Sequence, residues 1–278
     1  METKILNALT IDIEDWYHAL ISTSRHIERW PDYENRVVAN TGQLLDLLSR
    51  FGVKATFFVL GYVANQYPDL IRRVANEGHE IALHSYYHQR VYQLKPDQFR
   101  EDIERTREVV QRASDKWVQG YRAPMFSIKR SSLWVLEALC EMGFRYDSSI
   151  FPIRNMYYGI PEAPRFPYRP FDNSSFIEFP LATVKMFGIN WPIGGGLYLR
   201  SLPYPIIQGG IRKLNRQGKP AILYVHPWEF DLEQRFKKMT PRERITHYHG
   251  RASLEGKIVR LMQDFKFTTL SDLLSATG

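Results

Sequence analysis

The sequence predicts an α/β chain whose parallel sheet closes, or nearly closes, into a distorted (β/α) barrel with the helices outside. Three observations predict it. Short apolar runs alternate with longer segments in which apolar residues recur at helical spacing. The helical segments end in glycine, at Gly52, Gly78 and Gly143, and two of them begin at proline, Pro68 and Pro96, the punctuation expected of helix ends and starts. A chain of 278 residues, 44% hydrophobic and 24% charged, can bury a full core and lies in the size range of single-domain α/β barrels.

Taken in order, the strand candidates are ILNALTI (5–11), KATFFVL (54–60), HEIALH (79–84), WVQGY (117–121) and AILYVH (221–226). The helix candidates are TGQLLDLLSRFG (41–52), PDLIRRVANEG (68–78), PDQFREDIERTREVVQRAS (96–114) and SSLWVLEALCEMG (131–143). Repeated β-α units of this length build a parallel sheet, and in such folds the working residues come from the C-terminal ends of the strands and the loops after them. Near the end of the chain, TPRE from Thr240 to Glu243 has the spacing of a capping box and predicts a further helix.

Composition narrows the function classes. The net charge of +7 would suit nucleic acid, an anionic membrane surface or an acidic glycan. The basic residues are scattered, as in EDIERTREVV (101–110), where acids alternate with bases on a solvated helix face, so nucleic acid is not expected as a partner. Cys140 is the only cysteine, so no disulfide can form within the chain, and its place in an apolar helical pattern makes it a core residue. The first residues lack the length and flanks of a signal peptide, and no stretch approaches a membrane span. The expected location is cytoplasmic, at the inner face of the membrane if the basic charge makes peripheral contact there.

The segment HEIALHSYYH (79–88) holds three histidines. His79 and His84 are five apart, a helical rotation of about 140°, which rules out the H-E-x-x-H metal motif. His84 and His88 are four apart and can share a cation. Other polar residues follow predicted strands: Asp12, Glu14 and Asp15 the first, Arg122 the fourth, Asp147 a later one, and His226 the run AILYVH. All would open into one mouth.

The segments TIDIEDW, KATFFVLG, GHEIALHSYYH, GYRAP and YVHPWEF stand in the order and approximate spacing of the polysaccharide deacetylases of carbohydrate esterase family four, the NodB-homology fold, which the chain resembles over residues 5 to about 230. YDSSIFP, WPIGGGLYLRSLPY, NRQGKPAILYVHPWEFD and RITHYHGRASLEGKIVRLMQDFKFTTL further resemble its exosortase-associated bacterial subgroup, which has its own C-terminal region. The resemblance implies one catalytic domain over 1–278, with a barrel core to residue 235 and a C-terminal extension from 236 to 278. It also implies a metal-dependent hydrolase that removes acetyl groups from an N-acetylated oligo- or polysaccharide, or from its lipid-linked precursor.

The usual cation of that family is zinc, held by one aspartate and two histidines, and His84 and His88 match the histidines. Where the family has two adjacent aspartates, this chain has Asp12-Ile13-Glu14-Asp15. Asp12 fits the catalytic base. Glu14 and Asp15 compete for the metal: strand alternation puts Glu14 on the side of Asp12, while a turn at the strand end would bring in the shorter Asp15, which is preferred. Arg122 resembles the arginine that fixes the base, and His226 the general acid, with Asp147 near enough to raise its pKa. Tyr86, Tyr87, Phe126, Trp191 and Trp228 lie close to these motifs and are candidates for stacking on sugar rings. IGGGLYLR lacks the lysine of a phosphate-binding loop and is expected to be a flexible loop beside the cleft; His247 and His249, two apart, are a weak second metal pair. Two other classes remain open, a metal-independent cyclic-amide hydrolase of the same fold and a non-catalytic carbohydrate-binding relative.

Overall fold

The structure is a computed structural model and describes residues 5–276. The outermost residues of the single domain expected over 1–278, namely 1–4 and 277–278, lie outside the described residues. In chain order the elements are β1 (Leu6–Ile13), α1 (Val37–Arg50), β2 (Thr56–Val59), α2 (Gly61–Gln66), α3 (Pro68–Asn76), β3 (Glu80–Leu83), α4 (Pro96–Ser114), β4 (Gly120–Tyr121), α5 (Trp134–Glu141), β5 (Tyr146–Asp147) and β6 (Ile177–Glu178). Then come β7 (Thr183–Met186), β8 (Ile189–Pro192), α6 (Gly196–Ser201), α7 (Tyr204–Arg216), β9 (Ile222–Val225), α8 (Pro241–Tyr248), α9 (Arg251–Asp264), β10 (Lys266–Thr268) and α10 (Leu270–Ala276).

Strand β1 is central because both of its edges are paired. Its last four residues run parallel to β2, from Thr10 opposite Thr56 to Ile13 opposite Val59, and Ala8 to Ile11 run parallel to β9. Strands β3, β4, β5 and β6 follow β2 in order, every pair parallel, and β10 joins the first residues of β1. The far edge is drawn toward β9 by irregular chain: Ala182 donates to the carbonyl of Ile222, and Tyr224 donates to that of Gly194. The sheet is thus a curled half-barrel. Residues 236–276 are not only a cover, since β10 enters the sheet beside β1.

Alternation along the strands sorts side chains between two cores. Leu9, Ile11 and Ile13 of β1, with Phe57, Val59, Ile81, Leu83, Leu223 and Val225, face the helices and pack against α1, α3 and α4. Ala8, Phe58, Ala82, Tyr146, Ile177, Ile222 and Tyr224 fill the barrel interior, and Leu270, Leu273 and Leu274 of α10 pack into the same cluster. The interior is therefore solid near the N-terminal ends of the strands, and polar side chains take over toward the C-terminal ends.

Three expectations need adjustment. WVQGY is strand only at Gly120–Tyr121, and helix α1 begins at Val37, four residues before the predicted start. The glycines of IGGGLYLR do not make a flexible loop; they lie on β9 and lead into α6. Gly195 has φ of 151° and Gly196 of 54°, and a Cβ on Gly195 would stand 2.0 Å from the carbonyl oxygen of Tyr224. Glycine is required there because backbone meets backbone. The helix predicted after Thr240 is present as α8, with Thr240 accepting from the Glu243 N–H and the Glu243 carboxylate accepting from that of Thr240. Cys140 is half-buried on α5, against the core.

Gly195→Ala should lower the melting temperature, with a cost of about 1–3 kcal/mol, the usual range for overpacking a fitted site. A melt indistinguishable from that of the unsubstituted protein would mean that this contact relaxes freely.

Candidate active site

The same alternation that buries Ile11 and Ile13 turns Asp12 and Glu14 inward at the mouth of the barrel. They are lowered from water: both are buried, and both have cationic or proton-bearing neighbours. Asp12 Oδ1 accepts from Arg122 Nη1 at 2.7 Å. Arg122, fully buried, spends its other donors on Thr10 Oγ1 and on the carbonyl and hydroxyl of Ser148, and its guanidinium lies 4.1 Å from the centre of the Phe58 ring. Its fork is fixed on five sides, so the Asp12 carboxylate is fixed too. Asp12 Oδ2 looks the other way, 4.0 Å from His84 Nε2 and 3.9 Å from His226 Nε2.

Glu14 sits among histidines. Its Oε1 is 3.1 Å from His84 Nε2 and 2.9 Å from His88 Nε2, the latter not aligned for a hydrogen bond. Burial alone would raise its pKa, but the fields of His88 and His226 and the contacts with His84 and His88 overcome it and hold Glu14 well below the usual carboxylate range. His84 Nδ1 donates to the carbonyl of Arg122 at 2.8 Å, and a carbonyl only accepts, so Nδ1 carries the hydrogen. In the neutral imidazole Nε2 is then a lone pair aimed at a carboxylate oxygen. Two imidazole nitrogens and one carboxylate oxygen, all within 4.8 Å of one another, repel unless a proton or cation lies between them. The residues fit a divalent cation.

The chain between the two histidines is a strained turn, not a helix. Ser85 and His88 both have left-handed φ, 66° and 55°. Asp102 of α4 pins it by accepting from the Ser85 hydroxyl and the Tyr86 N–H. Strain of this kind persists where surrounding contacts over-determine it, and here it aims His88 at Glu14.

His226 stands beside both carboxylates, its Nε2 3.9 Å from Asp12 Oδ2 and 3.8 Å from Glu14 Oε1. Its Nδ1 lies 3.1 Å from Glu229 Oε2, which also accepts from the His226 N–H, and Glu229 Oε1 lies 2.6 Å from Arg200 Nε. Arg200 in turn donates to the carbonyls of Thr246, His247 and His249 at the end of α8. Burial alone would lower the pKa of His226, yet Glu14, Glu229 and Asp12 raise it to about 9. Burial likewise works against ionised Glu229, but Arg200 and His226 bring its pKa to about 2. The indole of Trp228 stacks on His226 at 5.1 Å and on His247 at 4.7 Å.

These groups line a cleft of about 430 Å³. Asp12, Glu14, His88 and His226 line it together, and Phe126, Tyr157, Tyr158, Tyr198 and Tyr224 supply aromatic walls. Arg25, Arg90 and Arg242 stand at its rim, the last two against the Tyr157 ring. The rim's acid, Glu243, is held by the N–H groups of Ser22 and Thr240.

Several expected residues lie elsewhere. Asp15 faces away from the cluster: its Oδ1 accepts from the Trp16 N–H and its Oδ2 from those of Arg36 and Val37. It caps two chain segments, and burial raises its pKa to about 6 against those hydrogen bonds, so the preference for Asp15 as ligand is corrected in favour of Glu14. Its own N–H donates to His18 Nδ1, and burial, then His88 nearby, lowers His18 to about 3. Asp147 is not the partner of His226. It accepts from the Ser149 N–H and hydroxyl and shares a fully buried corner with Glu178, where burial raises both pKa values. Tyr86 packs on Gly61 beneath Arg105, outside the cleft lining, and Trp191 is on the β7–β8 hairpin, also outside it. Tyr87 borders a side pocket with His88 and Arg90. Trp228 reaches the cleft, but its planes are engaged by imidazoles; Phe126 lines it and leans on Tyr224. His247 is buried beneath Trp228 and His249 points elsewhere; neither enters a metal-like cluster among the described residues.

Glu229 and Arg200 escaped the sequence reading. Glu229 had a signal, since H-P-W-E has the spacing of a capping box with proline at the first position. Arg200 had none, being 29 positions away in the chain.

A family model described as polysaccharide deacetylase matches residues 30–146, and one described as a domain of unknown function, DUF3473, matches residues 148–275. A peptidoglycan-N-acetylglucosamine deacetylase of Bacillus cereus is 37% identical over 98 residues, 35% of this chain and 36% of that relative. A chitooligosaccharide deacetylase of Rhizobium leguminosarum bv. trifolii is 43% identical over 70 residues, 25% of this chain and 33% of that relative. The chain therefore spans well under half the length of these curated relatives. Among solved structures, one from Mycobacterium smegmatis assigned to the polysaccharide deacetylases aligns over 99% of this chain and 91% of its own, with a TM-score of 0.63 at 22% identity. A CE4 family pseudoenzyme from Bacillus anthracis aligns over 99% of this chain and 66% of its own, with a TM-score of 0.52 at 15% identity. The fold is thus shared by proteins with and without turnover.

The two acidic candidates separate in one experiment. Loaded with a divalent cation and freed of excess, Glu14→Ala, His84→Ala and His88→Ala should lose the metal, while His79→Ala should keep it. Asp15→Ala should keep it as well but melt lower, by roughly 1–3 kcal/mol for each buried N–H left without an acceptor. A folded Asp15→Ala that loses the metal would overturn this division of roles.

Proposed function

We propose that this chain, a member of the polysaccharide deacetylase family with a DUF3473 C-terminal region, removes N-acetyl groups from an N-acetylated bacterial polysaccharide or its lipid-linked precursor, in exopolysaccharide biosynthesis or modification. The observation that carries the reading is the convergence, at one end of the cleft, of a carboxylate fixed by Arg122, an imidazole 3.9 Å from its free oxygen, and the three metal-type donors Glu14, His84 and His88 beside them.

Each residue has a step. Asp12, held by Arg122 and free at Oδ2, takes a proton from the water that attacks the acetamide carbonyl. His226 lies 3.9 Å from the same oxygen and gives a proton from Nε2 to the departing amine nitrogen, while Glu229 holds Nδ1 and favours the imidazolium. Glu14, His84 and His88 would hold a cation, and zinc suits two imidazoles and a carboxylate. When bound, such an ion supplies a Lewis acid for the acetamide oxygen. The aromatic walls suit pyranose faces, and the rim arginines favour a glycan carrying acidic groups or a phosphate linkage. Two imidazoles and a carboxylate converging within 4.8 Å favour the metal-dependent reading over the metal-independent alternative.

Two substitutions test the reading. Asp12→Asn should reduce acetate release from N-acetylated oligosaccharides by about two to four orders of magnitude, the range for loss of a positioned base. Unchanged turnover would remove Asp12 from the chemistry. The second concerns pH. His226 donates only while protonated, so activity persists below its raised pKa of about 9 and is lost as pH rises through it. A cation on Glu14 cancels part of that carboxylate's field and brings the limb lower. Glu229→Gln removes another raising field, so the basic limb should shift further down while the metal stays bound. A limb that does not move would separate His226 from proton transfer.

A further inference from the structure

Away from the cleft, the β7–β8 hairpin has a feature that the proposed chemistry does not use. Its antiparallel pairs are Thr183 with Pro192, Val184 with Trp191, Lys185 with Asn190 and Met186 with Ile189, closed by Phe187 and Gly188, both at positive φ. Cross-strand partners share a face, and so do alternate residues, so Val184, Trp191, Met186 and Ile189 form a single apolar face. Its base is covered, since Val184 and Ile193 pack against α7 at Gly210. Its outer half is bare: Met186 is 41% exposed, Trp191 49%, Ile189 61% and Phe187, at the tip, 97%. Apolar surface concentrated in this way marks an interaction site.

The surrounding charge says of what kind. No aspartate or glutamate occurs between Glu178 and Glu229, while that stretch holds Lys185, Arg200, Arg212, Lys213, Arg216 and Lys219. Arg200 is buried on Glu229; the other five are exposed. Lys213 of α7 donates to the carbonyl of Lys185, so the basic helix lies against the hairpin. Acids from other elements are Asp264 of α9, which is occupied by Tyr204 and Gln208 and lies in the field of Arg212, and Glu162, next to the Pro161 carbonyl that Asn190 binds, which is paired with Arg130.

We propose that the hairpin and the basic face of α7 dock on an anionic phospholipid surface, with Phe187, Met186, Ile189 and Trp191 entering the interfacial layer and the lysines and arginines meeting lipid phosphates. An exposed aromatic tip on a hairpin that carries a lysine and no acid, beside a basic helix, matches that layer in both polarity and charge. The position of the hairpin gives the docking a consequence. Asn190 donates to the carbonyls of Pro152 and Pro161, which clamps the hairpin to the segment that supplies Asn155, Met156, Tyr157 and Tyr158 to the cleft wall. Docking therefore holds that wall close to the membrane, where a lipid-linked glycan would be presented.

The test is co-sedimentation of the full chain with vesicles of phosphatidylcholine alone or with about a third phosphatidylglycerol, at low and high salt. Binding should require the anionic lipid and weaken with salt. Phe187→Asp should reduce partitioning about tenfold or more, and Lys185→Gln with Lys213→Gln should weaken binding by several-fold, each variant melting normally and keeping acetate release from a soluble oligosaccharide. Equal binding to both vesicles, or binding that Phe187→Asp leaves intact, overturns the proposal. So does a protein that ignores vesicles but self-associates in a way that Phe187→Asp abolishes, which would assign the hairpin to a second copy of the chain. Because sedimentation needs no turnover, its outcome is independent of whether the protein releases acetate.

Discussion

Two carboxylates, Asp12 and Glu14, end the central strand side by side and out of water, and the rest of the site is arranged around giving each of them cationic or proton-bearing partners. Burying either alone would push it toward the neutral acid, which neither removes a proton nor holds a cation. Each is answered by a different device. Asp12 has one buried guanidinium, straight and permanent, because Arg122 cannot lose its proton and its fork is already tied to Thr10 and Ser148. Glu14 has three imidazoles, whose charge depends on what they face. The first arrangement suits a base that must stay in place. The second suits a site in which protons and a cation exchange.

Charge compensation continues outward in layers. Behind Arg122, Asp147 and Glu178 share a fully buried corner in which desolvation favours the protonated acid. Behind His226 the order is reversed: Glu229 is ionised because Arg200 stands at its back. The surroundings of Asp12 and of His226 thus use the same three components, an arginine, an acid and a reacting group, in different sequence. Arg122 touches the proposed base, Asp12, whereas Arg200 touches Glu229, which supports the proposed donor, His226.

What the sequence disclosed follows the range of its signals. The alternation of strands and helices, the common side of Asp12 and Glu14, the spacing of His84 and His88 and the helix after Thr240 rest on period, spacing or local capping, and each is legible within a few residues. Asp15 was misread because a short acid after a strand suits either a ligand or a cap, and the N–H groups that decide the matter, of Arg36 and Val37, lie 21 and 22 positions away. Asp147 was paired with His226 on chain order alone, whereas Glu229, three residues from the histidine, occupies the position a capping box prescribes. Trp191 lay among motif residues in the sequence, yet strand alternation places it on the exposed apolar face of a hairpin away from the cleft. Proximity along the chain does not say which side of a strand a residue serves.

The division of the chain between two family models does not correspond to a division of the site. The first model, residues 30–146, includes His84, His88 and Arg122; the second, residues 148–275, includes Arg200, His226 and Glu229; and Asp12 and Glu14 precede both. Strand β1 binds these parts together, pairing with β2 from the first region and with β9 and β10 from the second. The helix ends of α8 then reach back through Arg200 to Glu229 and so to the proton on His226. In the proposed reaction α8 would consequently act through the orientation of His226 rather than by touching the reacting atoms. A change in how α8 sits would be felt first at His226, with the carboxylates of β1 undisturbed.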